Sequence, residues 1–292
     1  MKEYHVLNLG AGVQSTMLYV LAVQKHEVMP PLDYAIFADT GEEPVAVYAH
    51  LKWLQSLDGP EILIRSAGSR LGDDLKYGTS PSGTRILKAR GDMPARRFAS
   101  IPTFTAGGGI GRRQCTMDYK VAVIERTIRR DIVGLKPRQR FPVDDVHVHQ
   151  YLGLSFDEAK RVLRVRKRFY ETPWATPHFP LFETNTTRAG AIAWLEKRVP
   201  HTVPRSACVF CPYHSNEEWQ ALHRDDPSNP DWRRAVEIDE TLRDDTAVCS
   251  RGMREMQYLH RSCVPLKEAD ISTPEPHAEF AFVRECEGMC GV

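Results

Sequence analysis

The sequence lacks any long apolar run. No stretch of its 292 residues approaches the roughly 20 apolar residues that a bilayer-spanning helix needs. The opening MKEYHVLNLG also lacks the basic-then-apolar pattern of a secretory signal. We therefore expect a cytoplasmic protein without a membrane partner. An apolar content of 42% suffices for a core, and the length suits one large α/β domain, with or without an appendage.

Two common nucleotide-binding fingerprints are missing. The first glycines are not followed by the Gly-Lys-Ser/Thr of a Walker A motif, and their spacing is not Gly-x-Gly-x-x-Gly. Internal repeats and low-complexity tracts are absent too, which excludes a repeat array.

The chain has almost no net charge, but the charges are unevenly distributed. Residues 85–140 contain fourteen Lys and Arg against four Asp and Glu, whereas residues 217–292 contain nine against seventeen. A basic middle segment predicts an anionic ligand such as a nucleotide, a sulfate or a nucleic-acid phosphate. A plain solvated surface is the alternative.

Short β-like runs alternate with helical patterns through the first two thirds of the chain. Strands are predicted at 4–9, 34–38, 61–65 and 148–154, and helices from Ser15, near 44–56, over 117–130, after Ser155 and after Thr187. This rhythm predicts an α/β, Rossmann-like, mostly parallel sheet with helices on both faces. Residues 66–114 interrupt it as a long loop. We expect this domain to span 1–200 and a cysteine-containing, mainly helical region with helices at 216–224 and 231–243 to span 201–292.

The stretch LNLGAGVQSTML predicts an anion-binding turn. Gly10, Ala11 and Gly12 lie where a first strand gives way to a helix, which is the usual phosphate site of an open parallel sheet. Small residues allow a close backbone approach, a helix start offers free N–H groups, and Ser15 and Thr16 add hydroxyls. The alternative is a turn that serves tight packing alone.

The stretch FADTGEEP ends the second predicted strand. Asp39, Thr40 and Gly41 would reach the same edge of the sheet, where a carboxylate suits ribose hydroxyls or Mg²⁺. A simple turn with a helix cap is the alternative.

These two stretches resemble the adenine-nucleotide alpha-hydrolase superfamily. LNLGAGVQSTML is similar to its pyrophosphate-binding loop, commonly Ser-Gly-Gly-x-Asp-Ser, in the version found in phosphoadenosine-phosphosulfate reductases, and FADTGEEP to the Asp-Thr-Gly of those enzymes. YLGLSFDEAKRV and SACVFCPYHSNEEW resemble reductase-like phage and bacterial proteins. The resemblance covers about residues 4–215 and implies a HUP-type sheet with phosphates on Gly10, Gly12, Gln14, Ser15 and Thr16. Ala11 replaces a glycine, and Gln14 stands where an Asp is common.

The seven cysteines predict a metal centre, since structural disulfides are rare in a reducing compartment. Cys115, at a predicted helix start beside Arg112, Arg113 and Lys120, is in a setting that favours a thiolate. Cys208 and Cys211 form a Cys-x-x-Cys followed by Pro, which suits a tight turn around one metal.

The cysteine spacing resembles that of iron–sulfur adenylylsulfate reductases. Those enzymes have a Cys-Cys-x-x-x-Lys element with a Cys-x-x-Cys about ninety residues later, and here Cys208 lies 93 residues after Cys115. A 4Fe–4S cluster is therefore our first choice and zinc the second. The fourth ligand is taken as Cys290, with Cys286 or an external sulfur as alternatives. Glu285-Cys286 is similar to the Glu-Cys-Gly of sulfonucleotide reductases, which implies a nucleophilic Cys286.

The favoured function is ATP-dependent sulfur or group transfer of the pyrophosphate-loop class. An acceptor oxygen, such as a nucleobase carbonyl in a nucleic acid, would be adenylated with release of pyrophosphate, while Arg112, Arg113 and Lys120 stabilise phosphate charge. One alternative is reduction of a sulfonucleotide, with Cys286 or Cys290 as the attacking thiolate. Another is a non-catalytic nucleotide- or DNA-binding module with structural zinc. The oligomeric state, including a homo-oligomer, is left open.

Overall fold

The structure is a computed structural model, and it describes residues 1–78, 99–111, 113–224, 226–244, 247, 249 and 255–273. Its strands are β1 (Lys2–Asn8), β2 (Tyr34–Asp39), β3 (Glu61–Ser66), β4 (Phe104–Thr105), β5 (Val146–Leu152), β6 (Ala175–His178) and β7 (Gln257–Tyr258). Five of them form a parallel sheet in the order β3-β2-β1-β5-β6, while β4 and β7 form a separate antiparallel pair.

Ten α-helical stretches are described. They are α1 (Val13–Val23), α2 (Val45–Gln55), α3 (Leu71–Tyr77), α4 (Gln114–Thr116), α5 (Ala122–Thr127), α6 (Ala159–Phe169), α7 (Pro180–Glu183), α8 (Arg188–Glu196), α9 (Asn216–His223) and α10 (Pro230–Thr241). Two π-helical turns, Met117–Val121 and Ile128–Ile132, join α4 and α5 into one helical segment, 114–132. Short 3₁₀ turns occur at Phe156–Glu158 and Leu266–Glu268. No helix in these described ranges is both long and apolar enough to span a bilayer.

Both faces of the sheet are covered, because successive side chains of a strand point to opposite sides. Leu7 packs in a cluster with residues of α1, α2 and α8. Its neighbour Val6 packs in a second cluster with residues of segment 114–132 and α6. Strands buried on both sides need near-continuous apolar runs, as in HVLNL and AIFA. The expected α/β fold with a parallel sheet and helices on both faces is therefore confirmed.

A third apolar cluster lies beside α3. It joins Leu71 and Leu75 of α3 to Tyr119, to Phe210, and to residues of α9 and α10 such as Trp219 and Trp232. This cluster contains residues from before and after position 200. The division of the chain into 1–200 and 201–292 stays a prediction.

The structure departs from the sequence-based expectations at several places, and strands β4 and β7 and the short helix α7 are among the elements that were not expected. Helix α3 lies within 66–114, where we expected only a loop. Strand β6 was not expected, since ATPH is short and contains Pro177. Strand β5 ends at Leu152, so the predicted strand residues Gly153 and Leu154 belong to the following loop.

Candidate functional site

The topology places the candidate site beyond the carboxyl end of β1. The chain runs from β1 to β2 and β3 on one side of the sheet, then returns to β5 and β6 on the other. In open parallel sheets, the strand order reverses at the point where ligands bind. The β1–α1 turn, the β2–α2 loop and the loop after β5 all leave the sheet at this edge.

The β1–α1 turn is held by its own side chains. The backbone N–H of Gly10 donates to Ser15 Oγ at 3.2 Å, and that hydroxyl donates to the carbonyl of Gly12 at 3.3 Å. Gly12 is the N-cap of α1 and offers no side-chain acceptor to the helix N–H groups. The Ser15 hydroxyl therefore stabilises the turn, and the turn's backbone is the part that can meet an anion.

Ala11 adopts a left-handed backbone conformation, with φ of 57°. Glycine adopts this conformation without steric cost, whereas an L-residue with a side chain pays roughly 1–2 kcal/mol.

Thr16, just after the turn, begins a series of hydrogen bonds with two histidines. Its hydroxyl lies 2.9 Å from His50 Nε2, and His50 Nδ1 lies 2.8 Å from Nε2 of His201. Burial, aided by the nearby His201, lowers the pKa of His50 to about 4. The imidazole of His50 is therefore neutral at pH 7. The sequence did not predict this series of hydrogen-bonded side chains.

Gln14 joins three elements. Its amide nitrogen donates to Glu158 at 3.2 Å, and its amide oxygen accepts from Arg188 at 3.0 Å. Glu158 also pairs with Arg161 and accepts from the backbone N–H of Ser155. An amide can donate to a carboxylate and accept from a guanidinium at once, whereas a carboxylate at this position could do only the second.

Gly153 lies against this turn from the other side. A Cβ added there would lie 2.7 Å from the backbone nitrogen of Ser15. The loop after β5 therefore packs against the start of α1 without room for a side chain at position 153. The sequence Gly-Leu-Ser after a strand was the available signal for this contact.

Asp39 caps the turn that follows β2. Its Oδ1 accepts from the backbone N–H of Gly41 at 2.7 Å and from the hydroxyl of Tyr48 at 2.8 Å. Burial and the Asp39 carboxylate raise the pKa of Tyr48, so the phenol stays a donor. Gly41 has φ of 73°, which fits its place in this turn.

The two acidic residues after Gly41 connect the loop to distant parts of the chain. Glu42 is fully buried and pairs with Arg234 at 2.7 Å and with Arg70 at 3.3 Å. Glu43 is also fully buried, pairs with Lys120 at 3.1 Å, and accepts from Ser206 Oγ at 3.1 Å. The positive charge of Lys120 is thus balanced inside the protein. Neither glutamate was singled out from the sequence.

A cavity brings together the predicted residues Thr40, Arg113, Cys115, Lys120, Cys208 and Cys211, whereas the predicted turn at 10–16, Asp39 and Gly41 do not line it. Its walls contain three cysteines, two cations, the β2–α2 loop and apolar side chains: Thr40, Leu71, Ile101, Pro102, Arg113, Cys115, Thr116, Lys120, Cys208, Phe210, Cys211, Pro212 and Tyr213. The guanidinium of Arg113 lies over the Tyr213 ring, 4.0 Å from its centroid. The cysteines that the sequence separates by 93 residues therefore share one cavity.

Cys208 ties this cavity to the edge of the sheet. Its Sγ lies 3.3 Å from Oγ1 of Thr40, directly after β2, and the N–H of Val209 donates to the carbonyl of Glu42 at 2.8 Å. Burial, and then Glu43, raise the pKa of the Cys208 thiol, while Lys120 opposes the rise. The thiols therefore lie at the same edge of the sheet as the β1–α1 turn.

The sulfur spacing is wider than a compact metal site requires. Among the described residues, only Glu3, His5 and His149 form a group of three or more His, Cys, Asp or Glu side chains whose ligand atoms lie within 4.8 Å of one another. At least one pair of sulfurs from Cys115, Cys208 and Cys211 is thus farther apart than 4.8 Å. None of the five described cysteines forms a disulfide.

Three predicted site residues, Arg112, Cys286 and Cys290, lie outside the described residues. Their roles stay predictions. Comparison of the chain with family models, with curated proteins and with solved structures found no match. The resemblance to the alpha-hydrolase superfamily therefore depends on the quoted motifs alone.

Proposed function

We propose that the protein is an ATP-dependent sulfur or group transferase of the pyrophosphate-loop class, acting on a nucleic-acid acceptor. The observation that carries this proposal is the cavity that joins Cys115, Cys208 and Cys211 to Lys120 and Arg113 at the carboxyl edge of the sheet. A nucleotide site and a sulfur-binding site would then form one reaction centre.

The β1–α1 turn would hold the phosphates of ATP. The start of α1 has a glycine N-cap and buried small residues, so its N–H groups suit an anion. Asp39, whose Oδ1 stabilises the neighbouring turn, would meet ribose or Mg²⁺ through Oδ2.

The reaction would begin with attack of an acceptor oxygen on the α-phosphorus. Pyrophosphate leaves with the bonding electrons, and the acceptor becomes an adenylate. Arg113, on the cavity wall, would stabilise the growing phosphate charge. Lys120 would contribute less, because Glu43 already balances its charge. A sulfur nucleophile would then displace AMP.

Cys115, Cys208 and Cys211 would hold an iron–sulfur cluster. Thiolates on one tetrahedral zinc ion, with bonds of about 2.3 Å, lie only about 3.8 Å apart. A cluster spaces its thiolates more widely, since each binds a different iron, and at least one pair of these three sulfurs lies farther apart than 4.8 Å. When bound, such a cluster supplies an iron at which sulfur can be held for transfer.

The test uses anaerobically purified protein with ATP, Mg²⁺, a sulfide donor and total RNA or DNA as acceptor. We expect acceptor-dependent release of pyrophosphate and AMP, together with bound iron and sulfide. Cys208→Ser should lower the iron content and sulfur incorporation while pyrophosphate release persists. Cys263→Ser, outside the cavity, is the matched control and should leave all three unchanged.

Other outcomes identify the alternatives. Sulfite release from adenylylsulfate or its 3′-phosphate, without pyrophosphate from ATP, would indicate a sulfonucleotide reductase. Zinc without iron, and no reaction with either nucleotide, would indicate a binding module.

A further inference from the structure

A second group of potential metal ligands lies on the sheet itself, away from the cysteine cavity. Parallel pairing of β1 with β5 sets Glu3 opposite His147 and His5 opposite His149. The next pair on this face, Leu7 and Tyr151, packs in the cluster formed with α1, α2 and α8. The histidines therefore continue the same face toward the amino-terminal ends of the strands, where side chains become half-exposed.

We propose that Glu3, His5 and His149 bind a divalent transition-metal ion of the zinc type. One ligand atom from each of the three lies within 4.8 Å of the other two. Two imidazoles and one carboxylate form a donor set that zinc accepts, with a fourth position open to solvent. The site is independent of the proposed function.

The hydrogen bonds around the two histidines fix which nitrogen faces the ion. His149 Nδ1 lies 2.9 Å from Nε2 of His178, and His5 Nδ1 lies 2.8 Å from the hydroxyl of Tyr151. Nε2 of each ring is then the atom left for a metal. Ligating histidines in proteins show this arrangement, in which the second nitrogen bonds to a supporting group.

Closing around an ion requires one imidazole to turn, because the His5 and His149 rings are stacked with centroids 4.8 Å apart and 13° between their planes, and a metal lies in the plane of each ring that binds it. His149 Nε2 already lies 3.8 Å from a carboxylate oxygen of Glu3. Donors on a tetrahedral zinc ion at about 2.05 Å lie about 3.3 Å apart. The Glu3 side chain is 51% exposed, so it can rotate toward the rings without disturbing the core.

The nature of the donors separates this site from the cysteine cavity. The sheet site offers nitrogen and oxygen, whereas the cavity offers thiols. A Co²⁺ ion bound by nitrogen and oxygen shows ligand-field bands without the intense sulfur-to-metal charge transfer that thiolate ligands add. Cobalt absorbance therefore reports which of the two sites is filled.

The test is a titration of metal-free protein carrying Cys208→Ser and Cys211→Ser with Co²⁺, followed by Zn²⁺ competition. We expect saturable ligand-field absorbance at one ion per chain, displaced by Zn²⁺. His149→Ala should weaken binding at least 100-fold, and His178→Ala, which removes a supporting contact, about 10- to 100-fold.

His147→Ala is the matched control, since this neighbouring histidine bonds to Thr176 and is outside the three-ligand group. It should bind Co²⁺ like the parent. Glu3→Gln is a second test on an exposed residue and should weaken binding with unchanged circular dichroism. Equal affinity in His149→Ala, Glu3→Gln and the parent would overturn the proposal.

Discussion

Two neighbouring loops at the same sheet edge differ in which interactions hold them. In the β1–α1 turn, Ser15 bonds within the turn and Thr16 bonds to the helix behind it. In the β2–α2 loop, Thr40, Glu42 and Glu43 bond to residues at least 28 positions away. The turn of the first loop closes on its own backbone and hydroxyl, although Gln14 and Thr16 also bond to distant elements. The second loop is held by buried ion pairs with distant segments, so its substitutions should act first on stability.

The largest effect should come from breaking the ion pair of the second loop. Lys120→Met leaves Glu43 buried without its cation, and loss of one partner of a buried pair costs about 3–5 kcal/mol. Urea unfolding should show this loss. The double variant Lys120→Met/Glu43→Gln should recover most of the stability, because no buried charge is then left over. A single-variant loss under about 1 kcal/mol would show that this pair does not hold the loop.

A smaller effect is expected from crowding the first loop. Gly153→Ala places a Cβ 2.7 Å from the backbone nitrogen of Ser15, and such overpacking costs about 1–3 kcal/mol. Because the crowded atoms belong to the β1–α1 turn, we expect ATP binding, measured by calorimetry, to fall more than stability does. Gly190→Ala in α8, where the nearest atom is a hydroxyl at 3.3 Å, is the control and should retain ATP affinity. Unchanged ATP affinity in Gly153→Ala would show that the β1–α1 turn does not bind the nucleotide.

The smallest effect is a pH dependence from His50 of α2, which bonds to Thr16 near the start of α1. The pKa of His50 falls from 6.5 when unfolded to about 4 when folded. Between these values the unfolded chain binds more protons, so stability is full above pH 6.5 and decreases as the pH falls. From pH 7 to 5 we expect a loss of about 1–2 kcal/mol. His50→Gln should reduce that loss in urea titrations at both pH values, and an equal loss in variant and parent would contradict the assignment.

The sequence predicted the sheet and its turns because local patterns determine them. Apolar runs such as AIFA, buried on both faces, identify β2, and the small residues at 10–12 identify the turn. The cysteine cavity was predictable only as a set of residue types, because spacing along the chain carries no distances. The ion pairs of Glu42 and Glu43 could not be predicted, because nothing in the sequence pairs these glutamates with Arg234, 192 positions away, or with Lys120, 77 positions away.

The π-helical turn Met117–Val121 lies between a part of the helical segment that lines the cavity and a part that packs on the sheet. Before it lie Cys115 and Thr116 on the cavity wall, and after it Val123 and Ile124 pack on the sheet. The wider turn changes the angular phase between these two halves, as π turns do at functional sites in other helices. Shortening it by one residue would keep the helix but twist one half by about 100° relative to the other. We therefore expect the extra residue of this π turn to determine the direction in which the Cys115 side chain leaves the helix.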